Sequence, residues 1–578
     1  MTTPASATPK TGEETAMQTP NTPTNTAPTH KATPPQGVPA QQAMPPQQGV
    51  PSQRGMPHYG YFMPPIQPPQ PRKPTPFGRA DWLIFALAGI EALLLIITLN
   101  IDEHMNGLPG VGLTLMIYGH LGIVALALGK KARYDRTTIP LILATLLLGA
   151  FPTIYGNETL RLLNLLVVWA LITFTTFLMA NVWESAKIRL DPFISSITTW
   201  IASIFSHILR PIDGVHSAWQ RRNESNHKNI LPAALGILFA LVALTVVLPL
   251  LFSADTIFAE GFSNIIGTIF SFDPATFTMR SFTLLVAWPA FFGILWGLAR
   301  TTPTEKTAGA SFTQSLRRIK LPAVTAIIVL ATLILVYAAF IWVQAVYLFG
   351  GRAGAMAAGS YSEYARSGFF QLVTVAAINS AVALLAAYSA HKRPGEDGGL
   401  SVSPIPSMVV RAGVILLLVQ TGVILASALT RMNLYVGAYG LSLLRMLTYL
   451  GMLFIAICLL VTALYTFRAQ TPVFTATFVT GIALWAAFNL VNPEMRIATY
   501  NVNHYLSGDM EELDLSYFYD FSPAVAPVLE DFQSKYVSHE ADDLLENYHT
   551  KVEKASWQEW CLPFLEIGEK SSEKSHSK

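Results

Sequence analysis

The chain has 578 residues, of which 51% are hydrophobic and 13% charged, whereas an ordinary soluble domain carries roughly 25% charged residues. That deficit excludes a conventional soluble enzyme. Lys+Arg 38 and Asp+Glu 36 nearly cancel, so bulk charge gives no footing for a nucleic-acid partner. The two cysteines, Cys458 in an apolar run and Cys561 near the C-terminus, form neither a disulfide framework nor a zinc-type spacing.

From Met1 to about Pro76 the chain is rich in Pro, Thr and Gln and has no apolar core of a signal peptide. It repeats itself, Gln36-Gly37-Val38-Pro39 returning as Gln48-Gly49-Val50-Pro51. Such a stretch buries too little apolar surface to offset its ordering entropy, so residues 1–78 are expected to be a disordered cytoplasmic tail. The prolines from Pro64 to Pro71 could present a polyproline ligand to a cytoplasmic protein partner.

A hydrocarbon core of about 30 Å needs roughly 20 apolar residues per helix. Such runs occur at Trp82–Leu99, Val111–Gly129, Ile139–Tyr155, Leu160–Ala180, Leu231–Leu251 and Phe282–Ala299. The series continues with Pro322–Leu348, Phe369–Ala390, Val409–Leu429, Leu441–Tyr465 and Val473–Leu490. The expected fold is therefore all-α, a polytopic bundle of about eleven spans over residues 79–491. Lys and Arg fill every second loop through the first eight spans, as in Lys130-Lys131 and His391-Lys392-Arg393. That alternation predicts a cytoplasmic N-terminus, and an odd span count places the C-terminal region outside a bacterial cell membrane.

Two pieces do not span. Residues 193–209 put Ile194, Ile197, Ile201, Ile204 and Phe205 on one helical face and Ser195, Ser196, Ser203 and Ser206 on the other. That pattern predicts an interfacial amphipathic helix, in its plainer reading a cuff around the bundle. Residues 492–578 are polar and acidic, with enough aromatics for a small helical cap outside the membrane.

No phosphate loop, His-Glu-x-x-His or Gly-x-Ser-x-Gly occurs, so no catalytic residue, metal or cofactor is expected. Attention therefore falls on polar groups at membrane depth, which are costly to bury. Glu91 lies near the middle of the first span and is a candidate for coupling or ligand binding; Asn379 is a second, although amides in membrane helices serve more often as interhelical glue. At the outer ends Asp255, Arg352, Glu363, Arg366, Arg431, Tyr435, Arg445, Arg496 and Asn501 form a candidate polar network. Its arginines run against the positive-inside trend, and Arg445, one turn into its helix, must find an anion, a carbonyl or water. The network either locks the outer loops or converges on an anionic lipid or small-molecule ligand.

Motifs in this order carry a resemblance: Gln344-Ala345-Val346-Tyr347-Leu348-Phe349-Gly350-Gly351, Tyr361 to Leu372, Arg431-Met432-Asn433-Leu434-Tyr435 with Tyr439-Gly440-Leu441 and Arg445, and Asn492-Pro493 with Asn501 and Ser522 to Leu529. The series, over roughly residues 230 to 530, resembles a bacterial multi-pass membrane family catalogued only as a domain of unknown function. Thr256 stands where such proteins tend to have proline and Ser442 where threonine is usual. The resemblance implies location and architecture and supplies no reaction.

Three functions remain open on these residues. A transporter-like or flippase-like protein draws on the number of helices, Glu91, Pro289 and the outer arginines, without a clear internal repeat. A non-enzymatic envelope sensor, scaffold or assembly protein draws on the tail and the acidic cap. An enzyme acting on a lipid-linked substrate has only Glu363 and Asp255 to offer.

Overall fold

A computed structural model describes residues 77–99, 108–182, 188–214, 274–300, 322–349, 369–390 and 404–565, with Val247, Leu251 and Ile567 as isolated positions. Of the eleven expected spans, Leu231–Leu251 falls outside the described residues apart from those two positions. Among the described residues nine helices are long and apolar enough to cross a membrane, and Thr138–Ile154 is a shorter apolar helix.

In the first half, α1 (Arg79–Leu99), α2 (Val111–Leu128), α3 (Thr138–Ile154) and α4 (Glu158–Met179) pack as sequential neighbours. Next, α5 (Leu190–His207) lies against α6 (Pro274–Arg300), which returns to α1. Helix α6 runs unbroken through Pro289. Phe77, just before α1, stacks on Phe292 and Trp296 of α6, and Arg300 pairs with the buried Asp81.

In the second half, α9 (Pro404–Tyr439) packs against α7 (Ala323–Phe349), α8 (Phe369–Ala390) and α10 (Leu443–Phe467). The halves meet where α11 (Val473–Leu490) packs on α3, and Trp485 Nε1 donates to Asn164 Oδ1 of α4 at 3.0 Å. Large apolar side chains point away from this core, among them Leu335 and Trp342 at 70% and 73% exposure, as lipid-facing residues do.

Helix α5 covers most of residues 193–209, expected to be an interfacial amphipathic helix, and three serines of its polar face pack inward. Ser195, Ser196 and Ser203 are buried, whereas Ile201 and Phe205 are exposed. On α6, Gly293 and Gly297 stand four residues apart against Ser203, so close that a Cβ at Gly293 would sit 2.7 Å from the Ser203 carbonyl oxygen. Without a hydrophobic drive between helices in lipid, small residues make the contact.

After α11 come α12 (Pro493–Leu506), 3₁₀ turns at Ser516–Asp520 and Pro523–Val525, α13 (Ala526–Lys535) and α14 (His539–Lys554). They form a small helical unit, called the cap below. Its core contains Phe518, Val525, Leu529 and Tyr548, with Tyr548 donating to the Phe518 carbonyl at 2.5 Å. The segment beyond α14 then reaches α2. The carbonyls of Gln558 and Trp560 accept from Gly110 N (2.8 Å), Val111 N (2.9 Å) and Gly112 N (3.0 Å), and Gln558 Nε2 donates to the Ile97 carbonyl. The first turn of α2 has no side-chain cap, so distant backbone satisfies N–H groups that a helix start otherwise leaves open. A Cβ on Gly110 would lie 2.1 Å from the Trp560 oxygen, so glycine is required there for close approach.

Candidate functional site

Most of the described outer motif residues converge on the corner between α9 and α10. Arg431 to Tyr439, left between the expected spans Val409–Leu429 and Leu441–Tyr465, forms the last turns of α9, whose 36 residues reach about 54 Å, well beyond a hydrocarbon core of about 30 Å. No proline interrupts the stretch, and the helix stops at Gly440, whose φ of +73° suits glycine. Asn501 of α12 then binds both polar groups of one residue: its Oδ1 accepts from Leu441 N at 2.6 Å and its Nδ2 donates to Leu441 O at 2.9 Å. The Tyr517 hydroxyl accepts from Leu443 N at 2.9 Å, tying the cap to the start of α10.

Arg445 finds carbonyls. Its Nη1 donates to the Tyr439 oxygen at 2.8 Å and to that of Gly440, and its guanidinium lies 4.2 Å from the Tyr435 ring centroid. Lower on α9, Asn433 accepts from the Tyr449 hydroxyl at 2.7 Å, and the buried Arg431 donates to Gln344 of α7 at 3.1 Å. Arg496 is exposed on α12. Asp255, Arg352, Glu363 and Arg366 lie outside the described residues.

A second corner repeats this device. Arg161, in the first turns of α4, donates Nε to the Pro152 (3.2 Å) and Tyr155 (3.1 Å) carbonyls at the end of α3, and Nη1 to Leu108 O at 2.5 Å. In both corners an arginine at the start of the returning helix satisfies carbonyls left open at the end of the preceding one. This accounts locally for arginines at an end where the loop charges disfavour them. Sequence reasoning missed Arg161, although it stands, like Arg445, in the first turn of its helix.

Around Arg161 the cap closes a buried polar cluster. Glu494 of α12 accepts from Asn157 Nδ2 (2.6 Å), Ser522 N (2.9 Å) and the Ser522 hydroxyl. Burial pushes its carboxyl above the usual carboxylate range, with those hydrogen bonds and the nearby Arg161 opposing. Cys561 is fully buried, and burial pushes its thiol up to about 11 against the pull of Arg161. A cavity lined by Pro152, Asn157, Arg161, Asn164 and Asn489 has room for about one water. The cluster can hold the cap on the bundle.

Within the spans, Glu91 is fully buried and its Oε1 pairs with Nδ1 of His120 on α2. His120 was not foreseen, since a single histidine in an apolar run has no spacing to mark it. Asn379 of α8 accepts from Tyr337 of α7 at 2.9 Å and donates to Thr421 of α9 at 3.2 Å, an interhelical bridge. Glu91 and Asn379 therefore sit in separate helix groups, each with local partners.

No curated protein and no solved structure matches the chain. The family described as "Domain of unknown function (DUF4153)" matches residues 142–532, which takes in both arginine corners and the cap as far as α13. With more than half of its length matched and its helices long enough to cross a membrane, the chain belongs to that family and is a multi-pass membrane protein.

Proposed function

We propose that the protein is a non-enzymatic envelope sensor or assembly scaffold that presents its cap on the outer side of a bacterial cell membrane. The observation that carries this reading is the spending of the outer polar groups on the cap joint. Arg445, Asn501 and Glu494 are bonded to backbone or to neighbouring side chains. The cap also has a distinct surface chemistry: residues 493–567 hold fifteen Asp and Glu against four Lys and Arg. A surface of that sign suits a cationic partner and steers it from a distance. The basic residues at the far ends of the helices, Lys130, Lys131 and Arg133 among them, support a cytoplasmic assignment for that side.

Photo-crosslinking from Tyr519 on the cap surface, in intact cells expressing the full chain, tests the reading. Discrete protein adducts that disappear at high salt are expected; a cap that yields none speaks against it. Deleting Met1 to Pro76 asks separately whether the tail transmits the signal, because a sensor should then keep its adducts and lose its downstream response.

A second reading, a transporter-like or flippase-like protein for an anionic or amphiphilic ligand such as an anionic lipid, is favoured by one observation, the Glu91–His120 pair buried inside the membrane. Proteoliposome flux of a fluorescent anionic lipid, above that of protein-free vesicles and reduced by Glu91→Gln, would favour it over the scaffold.

A further inference from the structure

We propose that Glu91 and His120 form a proton-binding site in the membrane interior. Glu91 is twelve residues into the 21-residue α1, which leaves it about 12 Å from that helix's C-terminal end at 1.5 Å per residue. Its carboxyl is fully buried and His120 is 8% exposed. A lone carboxylate or imidazolium at this depth costs several kcal/mol in desolvation, on the order of what breaks a helix contact. Together the two groups carry one proton and no net charge, whether as carboxylate and imidazolium or as carboxylic acid and imidazole.

The geometry leaves one acceptor position open. Oε1 is engaged by His120 Nδ1, while Oε2 is buried with no hydrogen-bond partner among the described residues. A proton delivered by a hydronium ion bonds to Oε2, water departs, and the pair becomes a carboxylic acid beside an imidazolium. Release reverses the step. The site thus alternates between neutral and singly positive, and a charge change at this depth biases how α1 and α2 pack.

No other described ionisable group neutralises the pair. On α6, the neighbour at this level is Trp288, which packs on Gly89 and donates to the Phe85 carbonyl. The charged residues of α6 are Arg280 near one end and Arg300, on Asp81, at the other. Helix α3 has no Asp, Glu, Lys, Arg or His, and Glu158 and Arg161 of α4 lie in its first turns, Arg161 on its carbonyls. Tyr118 of α2 donates to the Leu146 carbonyl.

The site is independent of the cap, so its failure leaves the scaffold reading intact. Infrared difference spectra of the full chain in lipid nanodiscs, taken between about pH 5 and about pH 9 across the ordinary range of histidine and carboxylate titration, test it. We expect one carboxylate to convert to carboxylic acid on acidification, with the band lost in Glu91→Gln and its midpoint displaced by at least tenfold in proton concentration in His120→Gln. A band unchanged by pH, or one that persists in Glu91→Gln, overturns the proposal. Nitrogen chemical shifts of His120 in the unmutated, isotope-labelled protein give a reading that needs no variant. A neutral imidazole anywhere in that range refutes the step, in which His120 stays an imidazolium while Glu91 takes up and releases the proton.

Discussion

Asn501 shows how a single side chain can fix a corner. Its amide matches the N–H and C=O of Leu441, and Gly440 beside it has both a positive φ and a neighbour, since a Cβ there would lie 2.6 Å from Asn501 Oδ1. Asn501→Ala strips two bonds at once and is expected to cost about 1–3 kcal/mol, read as a lower midpoint in thermal unfolding of the detergent-solubilised protein. Gly440→Ala should destabilise in the same assay, through strain and contact together. Glu494 yields a prediction of opposite character. Its folded pKa lies above the ordinary carboxylate value because burial outweighs its hydrogen bonds, so the folded state binds more protons than the unfolded one in the window between the two. Stability is then full below the ordinary carboxylate value and is lost as pH rises through the raised one. Cap docking, followed by protease cleavage within residues 507–522, should weaken over that window, and Glu494→Gln, which keeps the shape without the charge, should flatten the dependence.

Among the elements, α2 and α5 depend most on partners distant in sequence. The first N–H groups of α2 are satisfied by Gln558 and Trp560, so truncating the chain after Ala555 should speed amide exchange at Gly110 to Gly112 and leave that at the far end of α2 unchanged. Leucine at Gly110 should mimic the truncation, because its side chain cannot share space with the Trp560 carbonyl. On α5 the serine face is the sensitive one: Ser203→Leu is expected to destabilise by about 1–3 kcal/mol through overpacking, whereas Phe205→Leu on the exposed face should stay within about 0.5 kcal/mol, both read from unfolding midpoints. Helix α9 continues through Arg431–Tyr439 with no proline before Gly440, and its length makes that motif the scaffold of a corner.

For the whole molecule, the question is which side the cap faces. Val537 is 82% exposed on the cap. Val537→Cys should react with a membrane-impermeant maleimide in unpermeabilised cells if the cap faces outward, as the alternating loop charges predict. The native Cys561 should stay silent in the same experiment, buried and with its thiol raised to about 11, and so poor in the reactive thiolate. Labelling of Val537→Cys only after permeabilisation would reverse the orientation and move the acidic surface to the cytoplasmic side.

The all-α membrane class and the apolar spans, apart from Leu231–Leu251 outside the described residues and the shorter Thr138–Ile154, are legible in the chain alone. Both are set by local composition and period, which a helix in lipid must obey because it satisfies its own backbone and shows acyl chains an apolar surface. The sequence also marked Glu91, Asn379, Arg431, Tyr435, Arg445 and Asn501, because polar groups near or within a membrane stand out against their neighbours. What these groups meet follows from the packing of the helices. Arg445 meets the carbonyls of the preceding helix, Asn379 a tyrosine and a threonine, and Glu91 a histidine 29 residues away. Likewise Arg161, Cys561 and the first turn of α2 acquire meaning from strands of chain hundreds of residues distant. Partners of that kind follow from how the helices pack, and packing between apolar helices is set by small residues and by the fit of surfaces, which no short-range pattern encodes.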